Sequence, residues 1–152
     1  MNQILFVIPA KSSSSRIRQK NMRKLGNTSL LGYKIRACLK TNLGQVIVST
    51  DSKKIANYSI KLGADVPFLR PKKYSSSKAT MMSCVLNVLM YFKKNLIKYP
   101  KYIAVFPPTY PFTKTSSIIK AFNKLRLNKK YNSLCSFTNC LNHPFSFVKN
   151  GK

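Results

Sequence analysis

Short apolar runs alternate with amphipathic segments along this chain, and that alternation limits its fold more than any other feature. The apolar runs predict buried strands at residues 3–8, 46–48, 65–68, 102–106 and 133–137. Helical patterns lie between them at residues 28–44, 52–63, 79–97 and 115–127. Strands that alternate with helices predict an α/β fold, a doubly wound, mostly parallel sheet with helices on both faces. With 152 residues and no linker or repeat, we expect a single domain.

Local signals set the expected ends and faces of these elements. Thr28 could cap the first helix, Ser52 could cap the second, and Gly63 could end the second. Pro67 predicts that the third strand lies near a sheet edge. The apolar stripe of the third helix is expected to face the core, with Met82, Val85, Leu86, Leu89, Met90 and Phe92.

The charge balance excludes several kinds of chemistry. The chain has 28 Lys and Arg against two acidic residues, a net charge of +26, and its only carboxylate side chains are Asp51 and Asp65. Acid–base catalysis by paired carboxylates is excluded unless these two meet, and so is a cage of several carboxylates around a metal. The scattered cations are either a solvated lysine-rich surface or an attraction for polyanions such as nucleic acid, anionic lipid or nucleoside triphosphate.

Other classes are excluded by what the sequence lacks. Four cysteines without a CxxC pair and a single histidine do not give zinc-site spacing, so we expect buried free thiols. No apolar run reaches the length of a membrane span, and the N-terminal apolar run is too short for a signal peptide. We therefore expect a cytoplasmic protein without a membrane partner.

The polar loop at residues 9–21 is the first candidate for a ligand site. Parallel α/β sheets bind ligands at the carboxyl ends of their strands, where this loop follows the first strand. Its hydroxyls and cations suit a triphosphate, although the glycines and the GK[ST] ending of a Walker loop are missing. A flexible polyserine loop is the alternative. The candidate phosphate-binding side chains are Lys11, Ser14, Ser15, Arg16 and Lys20.

Several stretches together resemble one family. Residues 8–21 are similar to IPARGGSKRIPRKN, residues 48–52 match VSTDS, and residues 63–71 are similar to GAEVPFLRP. Residues 108–112 stand where that pattern has QPTSPLR, and His143 with Pro144 resembles a histidine–proline pair. In this order and spacing the stretches resemble the acylneuraminate cytidylyltransferases, the CMP-N-acetylneuraminic acid synthetases.

This resemblance implies a nucleotide-diphospho-sugar transferase-like, Rossmann-related fold and a nucleotidyltransferase activity. The expected reaction transfers CMP from CTP to a nonulosonic, sialic-type acid, releases pyrophosphate and requires Mg²⁺. The implied partners are CTP, the sugar acid and a second copy in a homodimer, with no specific nucleic acid and no membrane.

The resemblance also assigns residues to roles. Lys20 and Arg70 are expected in catalysis, and His143 is either a sugar-side or a packing residue. Asp51 is either a metal ligand or a structural cap of the following helix or turn, and we favour the cap. The implied nucleotide-binding residues are Lys11, Ser14, Ser15, Arg16, Lys20, Asn21, Arg70 and Thr109.

The chain departs from the family pattern at informative positions. Pro107 replaces the glutamine that reads cytosine, which predicts weak base selectivity. The other replacements are two glycines by Ser12 and Ser13, a lysine by Ser15, an aspartate by Ser77 and an arginine by Thr113. The family pattern continues past residue 152 with sugar-binding and dimerisation segments and an aspartate pair for Mg²⁺, and we expect this chain to lack them. The rival hypotheses are an inactive nucleotide- or polyanion-binding module and a basic nucleic-acid-associated protein, the latter without a recognised motif.

Overall fold

The computed structural model describes residues 4–13, 17, 19–76 and 79–136. The chain forms two compact units, Met1–Ile119 and Lys120–Lys152. In chain order the helices and strands are β1 Ile4–Pro9, β2 Lys24–Leu25, β3 Thr28–Ser29, α1 Leu30–Leu39, β4 Gly44–Ser49, α2 Lys53–Lys61, α3 Met81–Lys94, β5 Tyr102–Val105 and α4 Thr115–Leu127. Two short 3-10 turns cover Lys20–Met22 and Lys72–Tyr74.

The central sheet contains three strands in the order β4-β1-β5, and both pairings are parallel. On one face, Leu5 and Val7 of β1 pack with Val88 and Phe92 of α3. Because side chains alternate along a strand, Phe6 points to the other face, where its ring lies 6.0 Å from that of Phe106. On that face α1 approaches the ring of Phe106. The predicted parallel α/β sheet with helices on both faces is confirmed.

The third predicted strand, residues 65–68, is reduced to one bridge between Ile47 and Asp65. The amide of Asp65 donates to Val46 O (2.8 Å), and the amide of Val48 donates to Asp65 O (2.9 Å). In a parallel ladder the next donor on this segment is residue 67, which is proline and has no N–H. The pairing therefore stops after one residue, and the prediction of a strand there was too long.

The helix caps follow the sequence with one correction. Ser29, not Thr28, caps α1 by accepting a 2.9 Å hydrogen bond from the amide of Gly32. Thr28 belongs to the β2–β3 hairpin, which the sequence analysis had missed. Ser52 caps α2 as predicted, and the chain leaves that helix through Gly63 at φ +91°.

The predicted apolar stripe on α3 is wrong in part. Val85 and Phe92 are buried as expected, but Met82, Leu86 and Met90 are 62%, 52% and 55% exposed. With 3.6 residues per turn, Leu86 points about 160° away from Val88 and Met90 about 160° away from Phe92, so the buried face excludes these exposed side chains. The buried face instead contains Cys84, Val85, Val88 and Phe92.

The remaining expectations concern the C-terminal strand, the thiols and the membrane. Residues 133–136 form no strand, and Phe137 lies outside the described residues. Cys38 and Cys84 are buried free thiols as predicted, and the prediction is wrong for Cys135, which is exposed. Cys140 lies outside the described residues. None of the described helices is both long and apolar enough to cross a bilayer.

Candidate active site

One cleft lies at the carboxyl ends of β1 and β5, beside the N-terminus of α3 and within the first compact unit. Its volume is about 220 Å³. The polar or charged residues that line it are Lys11, Ser13, Lys20, Asn21, Arg70, Tyr74, Ser76, Thr80 and Thr109. The carboxyl edge of a parallel sheet is the usual ligand site of such folds. We refer to this surface as the cleft.

The loop after β1 is held in place from the neighbouring strand. Asp51, two residues after β4, accepts hydrogen bonds from the amide of Ser12 (2.7 Å) and from its hydroxyl (2.8 Å). Both carboxylate oxygens of Asp51 are thereby engaged. Ser52, and not Asp51, caps the next helix. Asp51 instead has a structural contact with the loop after β1.

Asn21 holds the other side of the same loop. Its side-chain amide donates to Lys11 O at 3.0 Å, and the residue is buried. Lys11 and Lys20 are half-buried on the cleft wall. The chain's two carboxylates accept hydrogen bonds from Ser12 and Gln45, and within the described ranges neither lysine has an acidic partner. The cleft therefore contains two lysines on a loop whose backbone Asp51 and Asn21 hold in place.

Arg70 contributes a third cation, which is 5% exposed. Its Nη2 donates to Ser49 O (2.8 Å), and its Nη1 donates to Tyr74 O (3.3 Å) and lies 2.6 Å from Cys84 Sγ. Its Nε is buried without a hydrogen-bond partner in the described structure. A buried cation without a neighbouring carboxylate is costly, and an anion bound in the cleft would offset that cost.

The wall opposite these cations is the segment of residues 107–113, which we call the base-side loop. Pro107, Pro108 and Thr109 line the cleft, and the amide of Tyr110 faces Pro107 O at 3.5 Å in a turn. Proline has no side-chain amide. A nucleotide base at this wall would therefore meet backbone groups and the exposed Thr109 in place of a glutamine amide.

Lys34 is the functional candidate that sequence reasoning missed. It is 1% exposed on α1, and its Nζ donates to Tyr110 O (2.6 Å) and to Thr113 Oγ1 (2.5 Å). Burial lowers the pKa of Lys34 below its usual value, against a smaller opposing effect of Cys38. The sequence signal was a lysine on the apolar face of the helix, flanked by Leu31, Ile35 and Cys38.

The structure brings five of the predicted site residues into one cleft, namely Lys11, Lys20, Asn21, Arg70 and Thr109. Asp51 stands behind the loop and is not among the residues that line the cleft. The remaining predicted site residues lie outside the described residues: Ser14, Ser15, Arg16 and His143. The assignment of catalytic and binding roles to these residues stays a prediction.

The described residues do not fit a protein-held metal centre. Among them there is no group of three or more His, Cys, Asp or Glu side chains that could hold an ion. Asp51 is hydrogen-bonded to the loop after β1, where Ser12 engages both of its carboxylate oxygens. The chemistry that the cleft offers is therefore cationic, and it suits a polyanion such as a triphosphate.

The fold and the cleft define an α/β protein with an anion-suited site at the carboxyl ends of its strands. A family model described as cytidylyltransferase matches residues 5–147, and the chain belongs to that family.

The relatives are similar at modest identity. CMP-N,N'-diacetyllegionaminic acid synthase of Legionella pneumophila is 33% identical over 117 residues, which is 76% of this chain and 50% of that protein. N-acylneuraminate cytidylyltransferase of Escherichia coli is 31% identical over 148 residues, 97% of this chain and 34% of that protein. The chain thus spans half or less of the length of these relatives.

A solved structure has the same fold. CMP:2-keto-3-deoxy-manno-octonic acid synthetase complexed with CTP superimposes with a TM-score of 0.68 at 14% identity, covering 83% of this chain and 48% of that one. At this identity the likeness establishes the fold, and the predicted family resemblance is confirmed by the family model.

Proposed function

We propose that this chain forms the nucleotide-binding part of an enzyme that transfers CMP from CTP to a nonulosonic, sialic-type acid and releases pyrophosphate. Family membership and the names of the relatives support this reaction class. The structural observation that carries the proposal is the buried guanidinium of Arg70, which has no carboxylate partner in the described structure and shares a cleft with Lys11 and Lys20.

In this proposal the triphosphate lies along the loop after β1, residues 9–21. Lys11 and Lys20 bind its oxygens, and Arg70 adds positive charge from the cleft wall. Hydrogen bonds to charged groups contribute about 1.5–3 kcal/mol each, so the loss of any one of these cations should weaken binding measurably. The base and ribose lie toward Pro108 and Thr109, on the opposite wall.

The proposed reaction is an in-line displacement at the α-phosphorus. The anomeric hydroxyl of the sugar acid forms the new P–O bond and loses its proton, while the bond to the β-phosphate oxygen breaks and pyrophosphate leaves. Negative charge grows on the phosphoryl and leaving oxygens, and fixed cations stabilise it. We assign this stabilisation to Lys20 and Arg70.

Mg²⁺ enters the proposal as a cofactor bound to the triphosphate. Mg²⁺ usually keeps several waters and substrate phosphates as ligands, and the described residues provide no cage for it.

A single domain over residues 1–152, a homodimer and a cytoplasmic location belong to the same proposal. Light scattering of the purified chain gives its oligomeric state, and a monomeric mass contradicts the homodimer.

Nucleotide titration tests the assignment of the cleft. CTP is titrated against the wild-type chain, Lys20→Ala and Lys61→Ala, with the last as a control because Lys61 is exposed at the far end of α2. Loss of one charge-assisted contact should weaken CTP binding by about tenfold or more in Lys20→Ala. Equal weakening in Lys61→Ala shows only the nonspecific attraction of a chain with a net charge of +26, and it contradicts the proposal. The titration is repeated at raised ionic strength, which screens exposed charges first.

A further inference from the structure

We propose that Lys34 is a positioning residue that fixes the base-side loop from behind and thereby determines how much affinity the cleft gains from the nucleoside part of CTP. The proposal rests on the proposed function and assigns a role inside that site to a residue of α1 that does not line the cleft.

Lys34 contacts the centre and the end of the base-side loop and the residue before it. Its Nζ lies 5.4 Å from the ring centroid of Phe106, just before the loop. It donates to the carbonyl of Tyr110 in the middle and to the hydroxyl of Thr113 at the end. One buried ammonium group therefore ties the centre and the end of the base-side loop to α1.

Tyr110 and Thr113, the two hydrogen-bond partners of Lys34, are also bonded to each other. The hydroxyl of Thr113 donates to Tyr110 O at 2.9 Å, so that this carbonyl accepts from both Thr113 and Lys34. Removal of the ammonium group leaves a partly buried carbonyl and hydroxyl without their charged donor. Such groups move toward water to recover hydrogen bonds, because an unmade buried hydrogen bond is costly. The turn that contains Thr109 then loses its support.

The composition of the loop makes this support consequential. Pro107 and Pro108 have no N–H groups, so the polar atoms they bring to the cleft are backbone carbonyls. Backbone groups have no rotamers with which to adapt, and their position is that of the loop itself. A loop that reads a ligand through its main chain depends on its fastening more than one that reads through flexible side chains.

Two other contacts join α1 to this region without Lys34. The rings of Tyr33 and Phe112 meet edge to face at 5.7 Å. The hydroxyl of Thr115, at the start of α4, donates to Ala37 O at 3.3 Å. Thr115→Val is therefore a matched control, because it removes a hydrogen bond between α1 and the same region but leaves the ammonium cluster intact.

The test compares two ligands of equal charge. CTP and methyl triphosphate are titrated against the full chain. The dissociation constant of methyl triphosphate divided by that of CTP measures the affinity gained from the nucleoside. We expect Lys34→Met to reduce this ratio by about fivefold or more, with methyl triphosphate affinity unchanged. Lys34→Arg should restore part of it, because the guanidinium keeps the charge and the donors. Thr115→Val should leave the ratio unchanged even where it lowers the melting temperature.

Thr113→Val keeps the inference testable if Lys34→Met does not fold. It removes one partner of the ammonium group at a half-buried position and should reduce the same ratio. An unchanged ratio in Lys34→Met, or in Thr113→Val where only that variant folds, overturns the role of Lys34 but leaves the proposed function intact, provided that Lys20→Ala weakens both ligands. A wild-type chain that binds neither ligand overturns both proposals.

Discussion

At the scale of single residues, Asp51 holds the loop that borders the cleft without lining the cleft itself. Its two oxygens hold the amide and hydroxyl of Ser12, and the latter residue stands where the family pattern has a glycine. A serine restricts the loop backbone more than glycine does and gives Asp51 a second donor. The structure thus replaces backbone freedom by a side-chain tether.

Asp51→Asn should therefore weaken CTP binding by about threefold to tenfold, since one acceptor of the tether becomes a donor. The loss should be the same with Mg²⁺ and with a chelator, because the tether contains no metal. Asp65→Asn, at the chain's other carboxylate, is the control and should leave CTP affinity unchanged. A loss that occurs only with Mg²⁺ would make Asp51 a metal ligand instead.

Arg70 is expected to contribute to both binding and stability. Arg70→Met should lower the free energy of unfolding by about 1–2 kcal/mol, because the loss of charge-assisted bonds to the buried Ser49 carbonyl and the half-buried Tyr74 is partly offset by removal of a buried charge. It should also weaken CTP binding. Urea unfolding with and without CTP separates the two effects. Unchanged stability would mean that these bonds contribute nothing net to folding.

The site residues differ in how far the sequence could reveal them. Lys11, Lys20, Asn21, Arg70 and Thr109 were found because they stand in motif positions near strand ends, and the structure places all five on the cleft. Lys34 was not found because its hydrogen-bond partners, Tyr110 and Thr113, are 76 and 79 positions away. No local pattern contains that information.

At the scale of elements, the sequence predicted the parallel strands and most helix ends correctly, but it was wrong where one residue decides. Pro67 ends a ladder after a single bridge, although residues 65–68 have strand composition. Two apolar sets on α3 looked like one stripe, and only the packing against β1 shows which set is buried. Tertiary contacts, not propensity, made these choices.

The two faces of α3 should respond differently to substitution. Val88→Ala removes methyl groups from a fully buried side chain and should cost about 1–2 kcal/mol of unfolding free energy. Leu86→Gln alters an exposed side chain and should change stability by no more than about 0.5 kcal/mol. Chemical denaturation measures both. A larger cost for Leu86→Gln than for Val88→Ala would reverse the assignment of the faces.

At the scale of the whole molecule, the shortage of carboxylates limits catalysis more than binding. Attack on an α-phosphate gains from a metal that stabilises the entering and leaving oxygens. Asp65 accepts a hydrogen bond from Gln45, and both oxygens of Asp51 accept from Ser12. The described residues therefore position no such ion.

The isolated chain should accordingly bind CTP but turn it over far more slowly than the roughly 1 s⁻¹ at the low end of ordinary enzymes. Pyrophosphate release with CTP, Mg²⁺ and N-acetylneuraminate measures this rate. Turnover near 1 s⁻¹ would contradict the expectation and disfavour an inactive binding module.

Base selectivity is measured by competition among CTP, UTP, ATP and GTP. Because Pro107 has no side-chain amide, we expect less than about hundredfold preference for CTP over the other three nucleotides.

The position of Arg70 has a consequence for how the protein folds. Its guanidinium joins the end of β4, the turn at Lys72–Tyr74 and the first turns of α3, so those three elements share one uncompensated charge. A polyanion that binds the native state alone adds RT ln(1 + [L]/Kd) to the free energy of unfolding. A bound triphosphate would then stabilise the folded state by neutralising this charge. Amide hydrogen exchange should become slower in all three elements when the triphosphate binds.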